Sequence, residues 1–187
     1  INPTKQLAAG NFDGLPGNEV VAYGLDGKVR AVKGEDGSPL WTSAVALTCF
    51  MPSIADMNGD GKPEVIVEGA VLDGATGAVK ATFNPILNSS FIIGDLDSDG
   101  VNDVITSSRG YHANGAVFVD TKLADQSSFY GTQDWKSSWP AIADFDLDGL
   151  PEVVVVGNGH GTGPHFPHLW RPSAARPGKF EVPRQTP

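Results

Sequence analysis

Cysteine occurs once in the 187 residues, at Cys49, so no disulfide closes within the chain. A lone thiol set between Leu47-Thr48 and Phe50-Met51 reads as a small buried residue rather than a nucleophile. Long apolar runs are missing too: no window of about eighteen such residues exists, which excludes a membrane-spanning helix. Basic residues are scarce, 13 Lys and Arg against 22 Asp and Glu, and the net charge of −9 argues against nucleic acid as a partner. Neither an initiator methionine nor a leader-like segment precedes Ile1-Asn2-Pro3, the expectation being a processed product or a piece of something longer. Little favours long helices: 23 Gly and 14 Pro point to many turns and short strands.

What is present is a nine-residue stretch that recurs. Its clear copies are Asp56-Met57-Asn58-Gly59-Asp60-Gly61-Lys62-Pro63-Glu64, Asp95-Leu96-Asp97-Ser98-Asp99-Gly100-Val101-Asn102-Asp103 and Asp144-Phe145-Asp146-Leu147-Asp148-Gly149-Leu150-Pro151-Glu152. Oxygen-bearing side chains occupy positions 1, 3, 5 and 9, with Gly at position 6. A degraded copy comes first in the chain: Asn11, Asp13 and Glu19 keep positions 1, 3 and 9, but Leu15 removes the oxygen at position 5. These loops explain the acidity. The three clear copies hold three, four and four carboxylates, and Asp13 with Glu19 brings the share to 13 of the chain's 22.

The chemistry of such a loop is that of calcium. A hard cation takes six to eight oxygens, a tight loop can aim alternate side chains at one point, and the position 7 carbonyl can add a ligand. The first five positions resemble the start of an EF-hand loop, which further needs Glu at position 12 and helices on both sides. Position 12 here is Val67, Thr106 and Val155, and the flanks are β-branched runs, so the EF-hand fails and the acid at position 9 closes the site. Asp, Asn and Gly also suit ordinary turns. Three copies in register, with several carboxylates crowded into nine residues, are better explained by a cation. About three calcium ions are expected, with a fourth, weaker site at Asn11, Asp13 and Glu19; three would bring the net charge near −3. Sites of this kind fill where calcium is about millimolar, which points to an extracellular, cell-surface or periplasmic setting.

Position 1 of the four loops falls at residues 11, 56, 95 and 144. The period of roughly 45 fits one four-stranded antiparallel blade per repeat. Blades are expected at about 1–48, 49–86, 87–136 and 137–182, with 183–187 a linker-like tail. In the first, strands are predicted at 7–10, 19–23, 28–33 and 39–43, the later ones separated by Asp26-Gly27 and Asp36-Gly37 hairpin signals. The second repeats this with 64–68, 70–72 and 78–83. The third is read as 103–107, a loop over 108–115, and a strand at 116–120. The fourth has 152–156, then looser candidates at 165–170 and 179–182.

The runs "IADMNGDGKPEVIV", "IIGDLDSDGVNDVIT" and "IADFDLDGLPEVVVV" resemble the FG-GAP/VCBS repeats of β-propellers, the type found in integrin α-subunit heads. The resemblance implies an all-β propeller whose four blades here are part of a larger ring of about seven. It also implies calcium held by Asp56, Asn58, Asp60 and Glu64; by Asp95, Asp97, Asp99 and Asp103; and by Asp144, Asp146, Asp148 and Glu152. Carbonyls would come from Lys62, Val101 and Leu150. The expected function is a calcium-stabilised recognition or adhesion module that binds a glycan or protein through its loops, with the remaining blades a further candidate partner in another chain. Loop candidates are 108–114, with Arg109, Tyr111 and His112, and 157–168, while Trp135, Trp139 and Trp170 suit sugar stacking or packing. The alternatives are a polysaccharide-active lyase or hydrolase, for which His160, His165, His168 and Arg171 form the cluster to inspect, and a scaffold of a surface assembly.

Overall fold

The computed structural model describes residues 7–47, 51–83, 91–106, 109–120, 139–145, 147–156, 167–173 and 176–181. These residues are all-β, in four four-stranded antiparallel sheets, each a simple meander of the kind that makes a propeller blade. The first sheet orders β1 (Ala8–Gly10), β2 (Glu19–Tyr23), β3 (Val29–Lys33) and β4 (Pro39–Thr42), and the second β5 (Ser53–Ala55), β6 (Glu64–Val67), β7 (Ala70–Leu72) and β8 (Val79–Thr82). The third comprises β9 (Phe91–Gly94), β10 (Asp103–Thr106), β11 (Arg109–Tyr111) and β12 (Val117–Asp120). The fourth comprises β13 (Trp139–Ala143), β14 (Glu152–Val156), β15 (Pro167–Ser173) and β16 (Arg176–Glu181). The expected blade boundaries near 48, 86 and 136, and the tail 183–187, lie outside the described residues. The chain divides into two compact units, Ile1–Leu87 with Ala113–Gly115, and Asn88–His112 with Ala116–Pro187.

Each acidic loop joins the first and second strands of its sheet. All four residues of β6 and all four of β10 are buried, which fits the adjacent, non-alternating apolar residues Val65-Ile66-Val67 and Val104-Ile105 at their centres. By contrast β8, an edge strand, is largely exposed. In every sheet the register slips between the third and fourth strands, at Ala31/Val32, Val71/Leu72, Gly110/Tyr111 and Pro172/Ser173. A bulge there adds local twist to the outer edge of each blade.

In the first unit the core spans both sheets: Phe12, Val21, Val29, Ala31 and Trp41 pack with Val65, Val67, Ala70 and Leu72. Trp41 locks the two sheets together. Its indole Nε1 donates to the Gly74 carbonyl at 2.7 Å, and its ring lies where a Cβ on Gly77 would fall, 2.4 Å away, so Gly77 must be glycine on space as well as on its φ of 71°. In the second unit Leu96, Ile105 and Val153 form the core, with Ile92 and Ile142 against it.

One expectation fails. The loop expected over 108–115 is interrupted, because Arg109–Tyr111 forms β11, and the strand expected at 116–120 is present as β12 (Val117–Asp120). The Thr106 hydroxyl ties β10 to β11: it donates to the Arg109 carbonyl and accepts from the Arg109 N–H, both at 3.1 Å.

Candidate metal centres

The three clear loops share one hydrogen-bond pattern. The position 1 carboxylate accepts the N–H groups of positions 5 and 6: Asp56 from Asp60 at 3.2 Å and Gly61 at 2.7 Å, Asp95 from Asp99 at 3.1 Å and Gly100 at 2.9 Å, Asp144 from Asp148 at 3.1 Å and Gly149 at 2.9 Å. Position 5 in turn accepts from position 7, so Lys62, Val101 and Leu150 donate to Asp60, Asp99 and Asp148 at 2.8–2.9 Å. This winding requires left-handed backbone at position 6, where Gly61, Gly100 and Gly149 have φ between 78° and 92°. An added Cβ there meets nothing within 4 Å, so conformation alone selects glycine.

Position 9 does a different job. Glu19, Glu64, Asp103 and Glu152 are all buried, between 0 and 4 % exposed. In each loop one oxygen of that acid accepts the position 2 N–H: from Phe12 at 2.9 Å, Met57 at 2.8 Å, Leu96 at 3.0 Å and Phe145 at 2.8 Å. The degraded first loop keeps this latch, so the latch does not depend on the full ligand set. The position 2 side chains of the first three loops lie beneath the loop, with Phe12, Met57 and Leu96 at most 2 % exposed.

The loops part company over the remaining carboxylate oxygens. In the third, one oxygen each of Asp95, Asp97 and Asp103 lie within 4.8 Å of one another, and in the fourth so do those of Asp144, Asp148 and Glu152. Asp146 lies outside the described residues. Asp97 Oδ1 is shut off from solvent and has no hydrogen-bond partner. Such an oxygen is costly to bury unless something positive meets it. Burial likewise pushes the Asp103 carboxyl up to about 6, only partly offset by the Leu96 N–H and by His112, whose Nδ1 is 3.1 Å from Asp103 Oδ1. The donor set is all-oxygen, local and anionic, and it fits a hard divalent cation.

Among the described residues Asp56, Asp60 and Glu64 of the second loop do not gather in this way, and the first loop has only two acids, Asp13 and Glu19, to bring together. The second has its own counter-ion: Lys80 Nζ sits 2.6 Å from Glu64 Oε1, a contact that raises the lysine pKa. Asn58 donates to Asp60 at 3.2 Å, and the backbone N–H groups led by Gly61 hold the Asp56 carboxyl below its ordinary range. In the first loop Asn11 Nδ2 crosses to the Leu15 carbonyl at 2.6 Å, so its own amide donor closes the turn.

Other candidates fall in several places. Tyr111 is 1 % exposed and belongs to the core, while Arg109 reaches its hydroxyl at 3.5 Å. Trp135, His160 and His165 lie outside the described residues, and Trp139, His168, Trp170 and Arg171 fall on β13 and β15. Sequence reasoning missed the apolar character of the fourth loop, where Phe145, Leu147 and Leu150 are 51, 86 and 41 % exposed. Leu147 also has φ 62°, at the position that Gly14, Gly59 and Ser98 take in the other loops. The sequence signal was available: two leucines and a phenylalanine inside an acidic turn.

No family model matches the sequence, and no curated protein does. Among solved structures the chain is similar to the V. cholerae biofilm matrix protein Bap1, with a TM-score of 0.69 and 22% identity over 88% of this chain and 26% of that one. At that identity the likeness speaks to fold, and the chain spans about a quarter of that protein's length.

Proposed function

We propose that the chain is a calcium-stabilised extracellular recognition and adhesion module of the FG-GAP/VCBS propeller type. The observation that carries the calcium reading is Asp97 Oδ1, a buried carboxylate oxygen without a partner beside Asp95 and Asp103. Calcium would be held by Asp95, Asp97, Asp99 and Asp103 in the third loop, and by Asp144, Asp146, Asp148 and Glu152 in the fourth, with the Val101 and Leu150 carbonyls. Asp56, Asn58, Asp60 and Glu64, with the Lys62 carbonyl, form a weaker second-loop site, because Lys80 already neutralises part of Glu64. Asn11, Asp13 and Glu19 are weaker still. The ion is structural: it offsets carboxylate repulsion and ties ion binding to folding.

The adhesion reading draws support from the likeness to a biofilm matrix protein and from the apolar tip of the fourth loop. A leucine that is both exposed and left-handed costs stability on two counts, and such outliers cluster where a surface is used. The partner is a glycan or a protein, and further blades outside these residues complete a larger ring. Binding to glycan and matrix-protein arrays, with calcium and with EDTA, tests this. Calcium-dependent capture supports the module. Turnover of a polysaccharide would replace it with an enzyme, and no capture at all would leave a scaffold.

A further inference from the structure

The fourth acidic loop departs from its three sisters at its tip. Position 2 is buried in the others, as Phe12, Met57 and Leu96, whereas Phe145 is half exposed. Position 4 is Gly14, Gly59 or Ser98 in the others; here it is Leu147, left-handed and 86 % exposed. Among the described residues Leu147 is the most exposed large apolar side chain, and Leu25, at 78 %, is the next.

Leu25 belongs to a feature that complements the tip. It lies between β2 and β3, at the open edge of a mostly apolar cleft of about 280 Å³ lined by Ala22, Tyr23, Gly24, Leu25, Asp26 and Arg30. The cleft is preformed. The Tyr23 hydroxyl donates to the Leu47 carbonyl at 2.9 Å, which fixes one wall. Arg30 lies over Gly24, where a Cβ would collide with the guanidinium, and two bonds to Asp26 at 2.6 and 2.8 Å hold it there. A cavity of about 150 Å³ takes a benzene-sized group, so a leucine side chain fits. The charges also match. The loop 144–152 carries four carboxylates and no basic residue, and stays negative with one calcium ion bound, while the hairpin around the cleft sets Lys28 and Arg30 against Asp26. In a four-stranded meander the first and second connections leave from opposite ends, so knob and cleft occupy opposite ends of their respective sheets. Two different patches that fit one another make a heterologous contact, which joins copies head to tail.

We propose that Leu147 of one copy of this chain seats in the Tyr23–Leu25–Arg30 cleft of a second copy, with Asp148 facing Lys28 and Arg30. Leu147 is the anchor, and Phe145 and Leu150 are the apolar surround that keeps water from it. The proposal rests on the adhesion reading of the fourth loop tip and names the protein that the tip contacts.

The experiment is sedimentation velocity in calcium across about 1 μM to 1 mM, the span of weak association. Wild type is compared with Leu147→Asn, which removes the knob and suits left-handed backbone, and with Leu25→Glu, which closes the cleft with a like charge at an exposed position. Expected are wild-type species that grow beyond the dimer with concentration, and association at least about tenfold weaker in each variant. Mixed in equal amounts, the two variants should form a one-to-one dimer that grows no further, since one keeps its cleft and the other its knob; this mixture also shows that both have folded. Wild type monomeric throughout, either variant associating like wild type, or a mixture that stays monomeric would overturn the proposal. Array capture by a monomeric chain sinks this inference and leaves the recognition module standing. Self-association without capture of any glycan or matrix protein upholds it and fails that module.

Discussion

Replacing Asp103 with asparagine should change stability in opposite directions with and without calcium. Asp103 is fully buried, accepts the Leu96 N–H at 3.0 Å, and lies within 4.8 Å of Asp95 and Asp97. Burial raises its carboxyl from 3.8 to about 6. At about 1.4 kcal/mol per unit, ionising it in the calcium-free protein costs up to about 3 kcal/mol. The folded carboxyl holds its proton more tightly than the unfolded one. Without calcium, the stability it contributes is therefore complete below about pH 4 and lost as pH rises through about 6. An amide keeps the acceptor for Leu96 and removes the charge. In EDTA at pH 7.5 Asp103→Asn should match wild type or exceed it by about 1–2 kcal/mol, some of the full penalty being relieved by water entering the loop. In calcium the order reverses. A hundredfold excess over the dissociation constant stabilises wild type by about 2.7 kcal/mol per site, and the variant, one anionic ligand short, forfeits most of that at the third loop. Thermal melts of both proteins in EDTA and in millimolar calcium read the crossover, at roughly 2–4 °C per kcal/mol for a chain of this size. An equal loss of stability in both conditions would mean that Asp103 is only a hydrogen-bond acceptor, and the reasoning would be wrong.

Lys80→Met should destabilise the first unit by about 1–3 kcal/mol in EDTA, since Glu64 keeps its charge and loses its counter-ion, discounted because Lys80 is 38 % exposed. Calcium should restore much of the loss, and unfolding curves that ignore calcium would contradict this. Trp41→Phe removes the bond to the Gly74 carbonyl and leaves that oxygen buried, an expected loss of about 1–3 kcal/mol in urea unfolding at any calcium level. Leu147→Asn should raise stability by up to about 1 kcal/mol, because asparagine tolerates left-handed backbone, while weakening capture on whichever array the wild type binds. Unchanged capture would remove the fourth loop tip from the contact surface.

The loops were legible because everything that shapes them is local. The position 1 and position 5 carboxylates find their N–H donors within five residues and the position 9 acid finds its own at seven, so the spacing of Asp95, Asp97, Asp99, Gly100 and Asp103 declares the winding before any fold is known. The strands beside them were legible for a related reason: β6 and β10 are buried on both faces, so Val65-Ile66-Val67 and Val104-Ile105 stand side by side instead of alternating with polar residues. What escaped depends on distance in the chain or on a single side chain. The Thr106 hydroxyl, not a turn signature, ties β11 to β10. The Lys80–Glu64 pair joins residues 16 apart across the sheet, and nothing local in the sequence announces that meeting. Exposure at position 2 also resists prediction, because Phe12 and Leu96 are covered by the following sheet while Phe145 is half open.

The most direct measurement is an anomalous difference map from crystals grown in millimolar calcium, collected at a wavelength where calcium scatters anomalously. Peaks are expected within the Asp95–Asp97–Asp103 and Asp144–Asp148–Glu152 groups, stronger than any at the Asp56 loop. Water or bare carboxylates in both pockets, under calcium that fills other sites in the same crystal, would contradict the cation cage.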